Sequence, residues 1–399
     1  MILLVEAPLS QRDYERFGLA YMAMHGLNTE VWEIHDVYAP RPRRERADRA
    51  PAAYIRRFTS EHELVRSASS LQTQDCVVAT IGVFSGQERT MGPLIEAIRS
   101  SDALFTALSS GHRLPLPPPN THERPCLNGI AGRARQLGSD LVNNPRRVPI
   151  AIRSGWRRRK RHDRTHAAVL HAVWSGTNAE RIESTLINAD TEIAYIHTLD
   201  YDLIRHAREL PLSLAAGKIV YLDTMGPEHP DFAVHGMEVL TAPDTWFAAV
   251  RSAFDKIEEA LHLPIVIVAH PRAARVQLAE WYGDREIITG PTAQSIRDGS
   301  LTLVTSATTS LGMVACLGKP CLALRTPMIH TTHLAELDAY ADALSIPLID
   351  YTAVPQDLVI PVPDHVKQNL FVEEFVKRSG TPEQDFWDYV AGRIASWES

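Results

Sequence analysis

Short runs of consecutive apolar residues alternate along the chain with longer stretches whose apolar positions recur every three or four residues. That rhythm predicts βα units arranged around parallel sheets. In the first half the runs fall at Ile2–Glu6, Thr29–Ile34, Cys76–Gly82, Val148–Ile152 and Glu192–His197. Between the first two, QRDYERFGLAYMAMHG carries helical spacing and predicts one helix stopped at Gly26. The second half is more regular, with strands predicted at Lys218–Asp223, Pro264–His270, Glu286–Thr289, Leu301–Ser306, Pro320–Arg325 and Pro347–Tyr351. Helices are predicted between them near 243–261, 273–282, 291–298, 309–317 and 333–344. Thr241 or Asp244 suits the first as a cap, and Gly318 suits the fourth as a stop. Beyond a proline-punctuated stretch at 354–364, DHVKQNLFVEEFVKR and PEQDFWDYVAGRIASW predict two terminal helices. No segment repeats another.

Length sharpens this picture, because 399 residues exceed what one ordinary core holds. The pattern predicts an α/β chain of two Rossmann-like domains facing across a cleft: residues 1–205, residues 206–365, and C-terminal helices at 366–399 packing back on the first domain. A formal charge of −7 argues against general nucleic-acid affinity, which needs a basic footprint. The local exception is 133–164, with eleven Lys or Arg against two Asp and RRRKR at 157–161. Such a run is ordinarily a solvated face; its alternative use is peripheral contact with an anionic membrane or a polyanionic acceptor. Four cysteines (Cys76, Cys126, Cys316, Cys321) lack CxxC spacing and read as reduced thiols. The start of the chain has no basic lead before its short apolar run, and no window approaches the roughly 20 apolar residues of a membrane span. A cytoplasmic protein is expected, at most peripheral at the inner face of the membrane.

In open α/β sheets ligands bind beyond the carboxyl ends of the strands, so polar residues at strand ends are the candidates for chemistry. Three clusters qualify in the second half. LDTMGPEHPDF ends a strand in Asp223 and continues through Glu228, His229 and Asp231; carboxylate or imidazole there could deprotonate a hydroxyl, and the same composition also makes a turn. His270-Pro271-Arg272 follows a buried strand, where the proline biases His270 towards extended geometry and aims its ring out of the strand end. TSATTSLG places Thr305, Ser306, Thr308, Thr309 and Ser310 between a strand and a helix, either as helix caps or as hydroxyls and N–H groups facing phosphate. In the first half, HTLDYD brings His197, Asp200 and Asp202 to a strand end, to line an acceptor site or to serve the next helix. Two histidines in IHTTH at 329–333 lack HExxH spacing or an evident third ligand, so no metal is expected.

The order of the three clusters resembles that in GT-B glycosyltransferases which use CMP-activated acidic sugars: bacterial sialyltransferases, polysialyltransferases and capsule Kdo transferases. Asp223 in YLDTMGPEHPDF stands for the acidic motif, His270-Pro271 in VAHPR for the HP motif, and Ser306 to Ser310 in TSATTS for the Ser/Thr motif. The resemblance implies a CMP-linked donor held by His270, Pro271, Arg272 and the hydroxyl residues, with Asp223 as base and no metal or other cofactor. The family's acidic motif has two acids before glycine, whereas Thr224 and Met225 separate Asp223 from Gly226 here, so Glu228 or His229 stands as an alternative base. EAPLSQRDYERFG, IHTLDYDL and GPTAQSIRDGSL are similar to stretches of predicted surface-carbohydrate glycosyltransferases, implying a glycan or glycolipid acceptor. LGKPCLALRT resembles hydrolysing UDP-sugar 2-epimerases of the same architecture, but the preceding SLGMVACLG lacks their acidic residues. The expected activity is therefore sugar transfer from a nucleotide donor to a surface glycan; the alternatives are an epimerase or a non-catalytic glycan-binding protein.

Overall fold

A computed structural model describes residues 1–5, 8–9, 11–24, 26–38, 54–80, 91–108, 171–177, 187, 189–229, 232, 239–273, 275–326 and 331–397. The expected strand at Val148–Ile152, the basic segment 133–164, Asp231 and the first histidine of IHTTH lie outside the described residues. The first sheet contains seven parallel strands, β1 (Ile2–Val5), β2 (Glu30–Glu33), β3 (Ile55–Arg57), β4 (Cys76–Thr80), β5 (Leu104–Leu108), β6 (His171–Trp174) and β7 (Glu192–Tyr195). Their spatial order is β3-β2-β1-β4-β5-β6-β7. The second contains β8 (Ile219–Leu222), β9 (Ile265–Val268), β10 (Ile287–Ile288), β11 (Leu301–Val304), β12 (Cys321–Arg325) and β13 (Leu348–Asp350), in the order β10-β9-β8-β11-β12-β13. Both sheets thus run outward from their first strand, then reverse and continue on its other side, which is the Rossmann winding. The two-sheet α/β architecture is the one the hydropathy pattern predicts.

Helices of the first half are α1 (Gln11–Arg16), α2 (Leu19–Met24), α3 (His35–Tyr38), α4 (Glu61–Ser69), α5 (Gly92–Ser100) and α6 (Leu199–Ala207). The single helix expected over 11–26 is two, because Gly18 adopts φ 61° between them. The second half adds α7 (Pro243–Leu261), α8 (Arg275–Tyr282), α9 (Thr292–Asp298), α10 (Ser310–Cys316), α11 (Thr331–Leu344), α12 (His365–Phe371) and α13 (Phe386–Trp397). Ala242 occupies the N-cap of α7 without a side-chain bond, and Pro243 supplies the preset φ instead of a Thr241 or Asp244 cap. Gly318 closes α10 at φ 63°, as its position suggests.

Side chains alternate across the second sheet. Ile219, Tyr221, Ile265, Ile267, Leu301 and Leu303 face α7 and α8, while Val220, Leu222, Val266, Val268 and Val304 face α9, α10 and α11. The connection through α9 therefore changes faces, and β8 and β11 mark the switch point. Here the helices that follow neighbouring strands depart to opposite sides and leave a crevice between them.

The chain's last segment returns to the first sheet. Phe386, Trp387, Val390 and Ile394 of α13 are buried against Leu3, Val5, Val78 and Val173. The crossing is pinned before α13 begins: Thr198 N–H donates to Val376 O at 2.8 Å, and Arg378 N–H donates to Ser175 O at 3.0 Å. Gly176 permits this approach, since a Cβ there would lie 2.5 Å from the Glu374 carbonyl carbon. Among the described residues no helix is long and apolar enough to cross a membrane.

Candidate functional site

The parallel register places Leu222 opposite Val268 and Tyr221 opposite Leu303, so β9, β8 and β11 end level with one another. The three clusters recognised in the sequence follow those three adjacent strands, at the switch point of the second sheet. Their convergence is a consequence of strand order, because Asp223, His270 and Thr305 are far apart along the chain.

Asp223 is 5% exposed and accepts three hydrogen bonds. Met225 N–H and Tyr282 O–H donate to its Oδ1 at 2.7 and 2.8 Å, and His270 N–H donates to its Oδ2 at 3.1 Å. Burial pushes the carboxyl above its ordinary range, while the bonds from Met225, Tyr282 and His270 pull against that rise. Such a carboxylate is occupied in holding the site together. The bond to Met225 also holds a rarely used backbone state, for Met225 has φ 59° and is buried. Gly226 follows at φ 46°, and a Cβ there would lie 2.7 Å from the Trp246 ring, so the turn needs glycine at this place. The turn lifts Glu228 into solvent and leaves His229 half-buried.

His229 reaches back over the HP segment, its ring meeting that of His270 edge to face at 5.2 Å. Arg272 N–H donates to His270 Nδ1 at 3.2 Å, which assigns the proton of the neutral ring to Nε2 and makes that nitrogen a donor. Pro271 and Arg272 are exposed in the turn that Ala273 N–H closes on His270 O at 2.9 Å. One turn further along the first loop, Phe232 stacks on His333 of α11 at 5.2 Å. Among the described residues no group of three or more His, Cys, Asp or Glu could hold a metal ion.

The hydroxyl cluster divides into an inner and an outer part. Thr305 is 1% exposed, and its Oγ1 pairs with Tyr221 Oη at 2.9 Å, so this hydroxyl belongs to the core rather than to a ligand. Thr308 Oγ1 accepts from Ser310 N–H at 3.3 Å and helps to start α10. Ser306, Thr308 and Ser310 are half-buried and Thr309 is exposed, which leaves the outer residues within reach of solvent.

Sequence reading missed Tyr221 and Tyr282. Both are fully buried, and their rings meet edge to face at 5.5 Å. Tyr221 Oη pairs with Thr305 Oγ1, and Tyr282 Oη donates to Asp223 Oδ1. Burial raises both phenols above their ordinary range, Asp223 adding to the shift, so both remain neutral donors. The visible signal was an aromatic residue two places before the strand-end acid, which also fits a core position.

The first-half candidates occupy a different setting. His197 is fully buried, with Nδ1 2.9 Å from Thr198 O and Nε2 2.8 Å from Gln384 O. Asp202 accepts Phe386 N–H at 2.9 Å and caps α13, while burial pushes its carboxyl up and the nearby His197 opposes that shift. Both side chains thus engage the returning chain. Asp200 lies in the first turn of α6, where its charge suits the helix dipole. A hollow of about 450 Å³ lined by Lys218, Glu258, Arg285 and Glu286 lies at the opposite, amino edge of the second sheet. Its charges pair within it, Lys218 with Glu286 and Arg285 with Glu258, each at 2.6 Å.

No family model matches the chain, and no curated protein matches it in sequence. Solved structures with a similar chain trace include the glycosyltransferase SnogD from Streptomyces nogalater, at 10% identity and TM-score 0.47 over 99% of this chain and 98% of that one. Os79 from O. sativa, solved in complex with UDP, aligns at 12% identity and TM-score 0.46 over the full length of both chains. The UDP-GlcNAc 2-epimerase from Methanocaldococcus jannaschii aligns at 10% identity and TM-score 0.40 over 99% of each chain. A transferase and an epimerase thus stand side by side at this level of likeness, and the choice of chemistry rests on the site itself.

Proposed function

We propose that the chain is a metal-independent glycosyltransferase, holding a nucleotide-sugar donor at the carboxyl edge of the second sheet and passing the sugar to a surface-glycan acceptor. One observation carries this reading: the acidic, HP and hydroxyl clusters meet at the switch point between β8 and β11. His270 Nε2 would donate to the nucleotide. Arg272, Ser306, Thr308, Thr309, Ser310 and the N–H groups opening α10 would face the phosphate, opposing the negative charge that grows on it as the sugar leaves. The acceptor oxygen forms a bond to the anomeric carbon while the bond from that carbon to the phosphate oxygen breaks. Its proton passes to a base. His229 suits that role better than Asp223, whose oxygens are buried and already take three donors; Glu228, exposed on the same turn, is the second choice.

The donor class we favour is a CMP-linked acidic sugar, because the order of the three clusters resembles that of CMP-sugar enzymes. The expected setting is cytoplasmic, with the segment 133–164 meeting a polyanionic or membrane-borne acceptor. A thermal-shift panel of CMP, UDP, GDP and their sugars tests the reading. Saturating ligand at a hundredfold excess over Kd stabilises by about 2.7 kcal/mol. CMP should raise the Tm, and His270→Ala should abolish the rise. Stabilisation by UDP and not CMP would replace the donor class, and no response to any nucleotide would remove the transferase reading.

A further inference from the structure

We infer that Tyr282 is a positioning residue that joins the HP turn and the Met225–Gly226 turn into one mechanical unit through a buried relay of hydrogen bonds centred on Asp223. The inference rests on the functional reading above for its purpose, but its geometry stands independently. Tyr221, whose Oη pairs with Thr305 Oγ1 at 2.9 Å, braces the Tyr282 ring edge to face; the relay itself runs from Tyr282 Oη to Asp223 Oδ1 at 2.8 Å, where Met225 N–H also donates at 2.7 Å. It ends at Asp223 Oδ2, which receives His270 N–H at 3.1 Å. Three elements contribute: β8 leads to Asp223 and Met225, α8 ends in Tyr282, and β9 leads to His270. The backbone ladder already ties these strands together below their ends. Past Leu222, Val268 and Val304 the ladder stops, and the relay continues the connection into the turns.

Two features show that the relay fixes geometry rather than filling a core. A buried tyrosine needs only one hydrogen-bond partner, yet Tyr282 is aimed at a carboxylate that also holds backbone N–H groups of both candidate loops. The carboxylate also stabilises the positive φ of Met225, from which Glu228 and His229 are launched. Removing one donor therefore disturbs His270 and His229 together. Tyr282 never needs to touch a ligand to affect binding.

Hydrogen exchange on the full-length protein, read by mass spectrometry, tests the relay without any ligand. Tyr282→Phe should speed exchange in peptides covering 223–229 and 268–273 by about tenfold, the effect of one lost bond to a charged group, while peptides of β1 and β4 stay unchanged. Unchanged exchange at those turns, or an equal rise across both sheets, would overturn the inference. Asp223→Asn supplies a second variant: its oxygen can keep Met225 and Tyr282, but its amide meets the His270 N–H donor to donor. Exchange should then rise at His270 more than at Met225, and the reverse order would count against the relay. The binding arm uses CMP and UDP as probes. Tyr282→Phe should weaken whichever binds by about tenfold, and that loss should vanish when His270 is already alanine, as expected of coupled residues. Persistence of the full loss in His270→Ala would overturn positioning through His270. If the wild-type protein binds neither nucleotide, the functional reading fails and the exchange result still decides the relay.

Discussion

Gly176→Ala tests the junction on which the first sheet and the returning chain depend. A methyl group there would lie 2.5 Å from the Glu374 carbonyl carbon and 2.7 Å from Phe375 N, and closer still to the Glu374 oxygen. Carbon contacts relax at about 3.5–4.0 Å, so the two backbones must part by roughly 1 Å. Neither side has a flexible side-chain end that could yield, because the opposing atoms are main chain. Three hydrogen bonds cross the same seam: Arg378 N–H to Ser175 O at 3.0 Å, Thr198 N–H to Val376 O at 2.8 Å, and Thr381 Oγ1 to Ile196 O at 2.8 Å. Each contributes about 1 kcal/mol, and a 1 Å retreat would break or stretch two or three of them. The expected cost is therefore about 2–3 kcal/mol, confined at first to the seam.

The assay pairs Tm with limited proteolysis of the segment 372–386, because a chain of two sheets need not unfold in one step. Gly176→Ala should lower Tm and open that segment to cleavage before the second sheet is attacked. Gly290→Ala is the matched control, since nothing lies within 4 Å of a Cβ at that position. It should be neutral or slightly stabilising through the unfolded chain. If Gly176→Ala shifts Tm no more than Gly290→Ala, the close approach at this seam does not exist as described.

Gly18→Ala should also loosen the last helix: φ is 61° there, and a Cβ would lie 2.8 Å from Trp387 Cδ2. The expected sign is a loss of about 1–3 kcal/mol, checked by Tm and by exchange of the α13 amides; a stabilising result would refute the packing. Asp298 predicts a pH effect. Burial alone would push its carboxyl up, but bonds from Arg297 and from the Ser213 amide outweigh burial and hold it below the ordinary range. Its contribution is thus present above about pH 4, the unfolded value, and is lost as pH falls through that value towards the lower folded one. Asp298→Asn should lower Tm at pH 7 and lower it less at pH 3; an equal difference at both would show that the charge is not responsible.

The strands of the second sheet were legible because interior parallel strands are apolar on both faces and read as continuous runs, as IVIV of β9 does. The missed strands break that rule. Edge strand β3 is IRR, while β5 and β6 carry Thr106 and His171 inside runs of only five and four residues. Gly18, which divides α1 from α2, packs against Trp387 far along the chain, a contact no local periodicity reports. The same distance hid the use of His197 and Asp202. Their partners, Gln384 and Phe386, become neighbours only when α13 returns to the first sheet. The strand-end residues Asp223, His270 and Ser306 were legible because each closes an apolar run. Which of them would be spent inside the protein was not.

That division between inner and outer polar residues follows from strand order. With β8 between β9 and β11, a polar side chain at the end of β8 lies between the turns that follow its two neighbours, and Asp223 there is 5% exposed. Asp223 occupies this central place, and a carboxylate so buried is tolerable only when donors surround it, as Met225, Tyr282 and His270 do. On the turns that follow the flanking strands, His270, Arg272, Ser306 and Thr309 retain access to solvent. An acid at the centre of the winding is thus driven towards positioning, and under the proposed function proton transfer would fall to a residue carried on the loop that it shapes. His229, launched from the Met225–Gly226 turn and packed against His270, is therefore the residue we propose for that task.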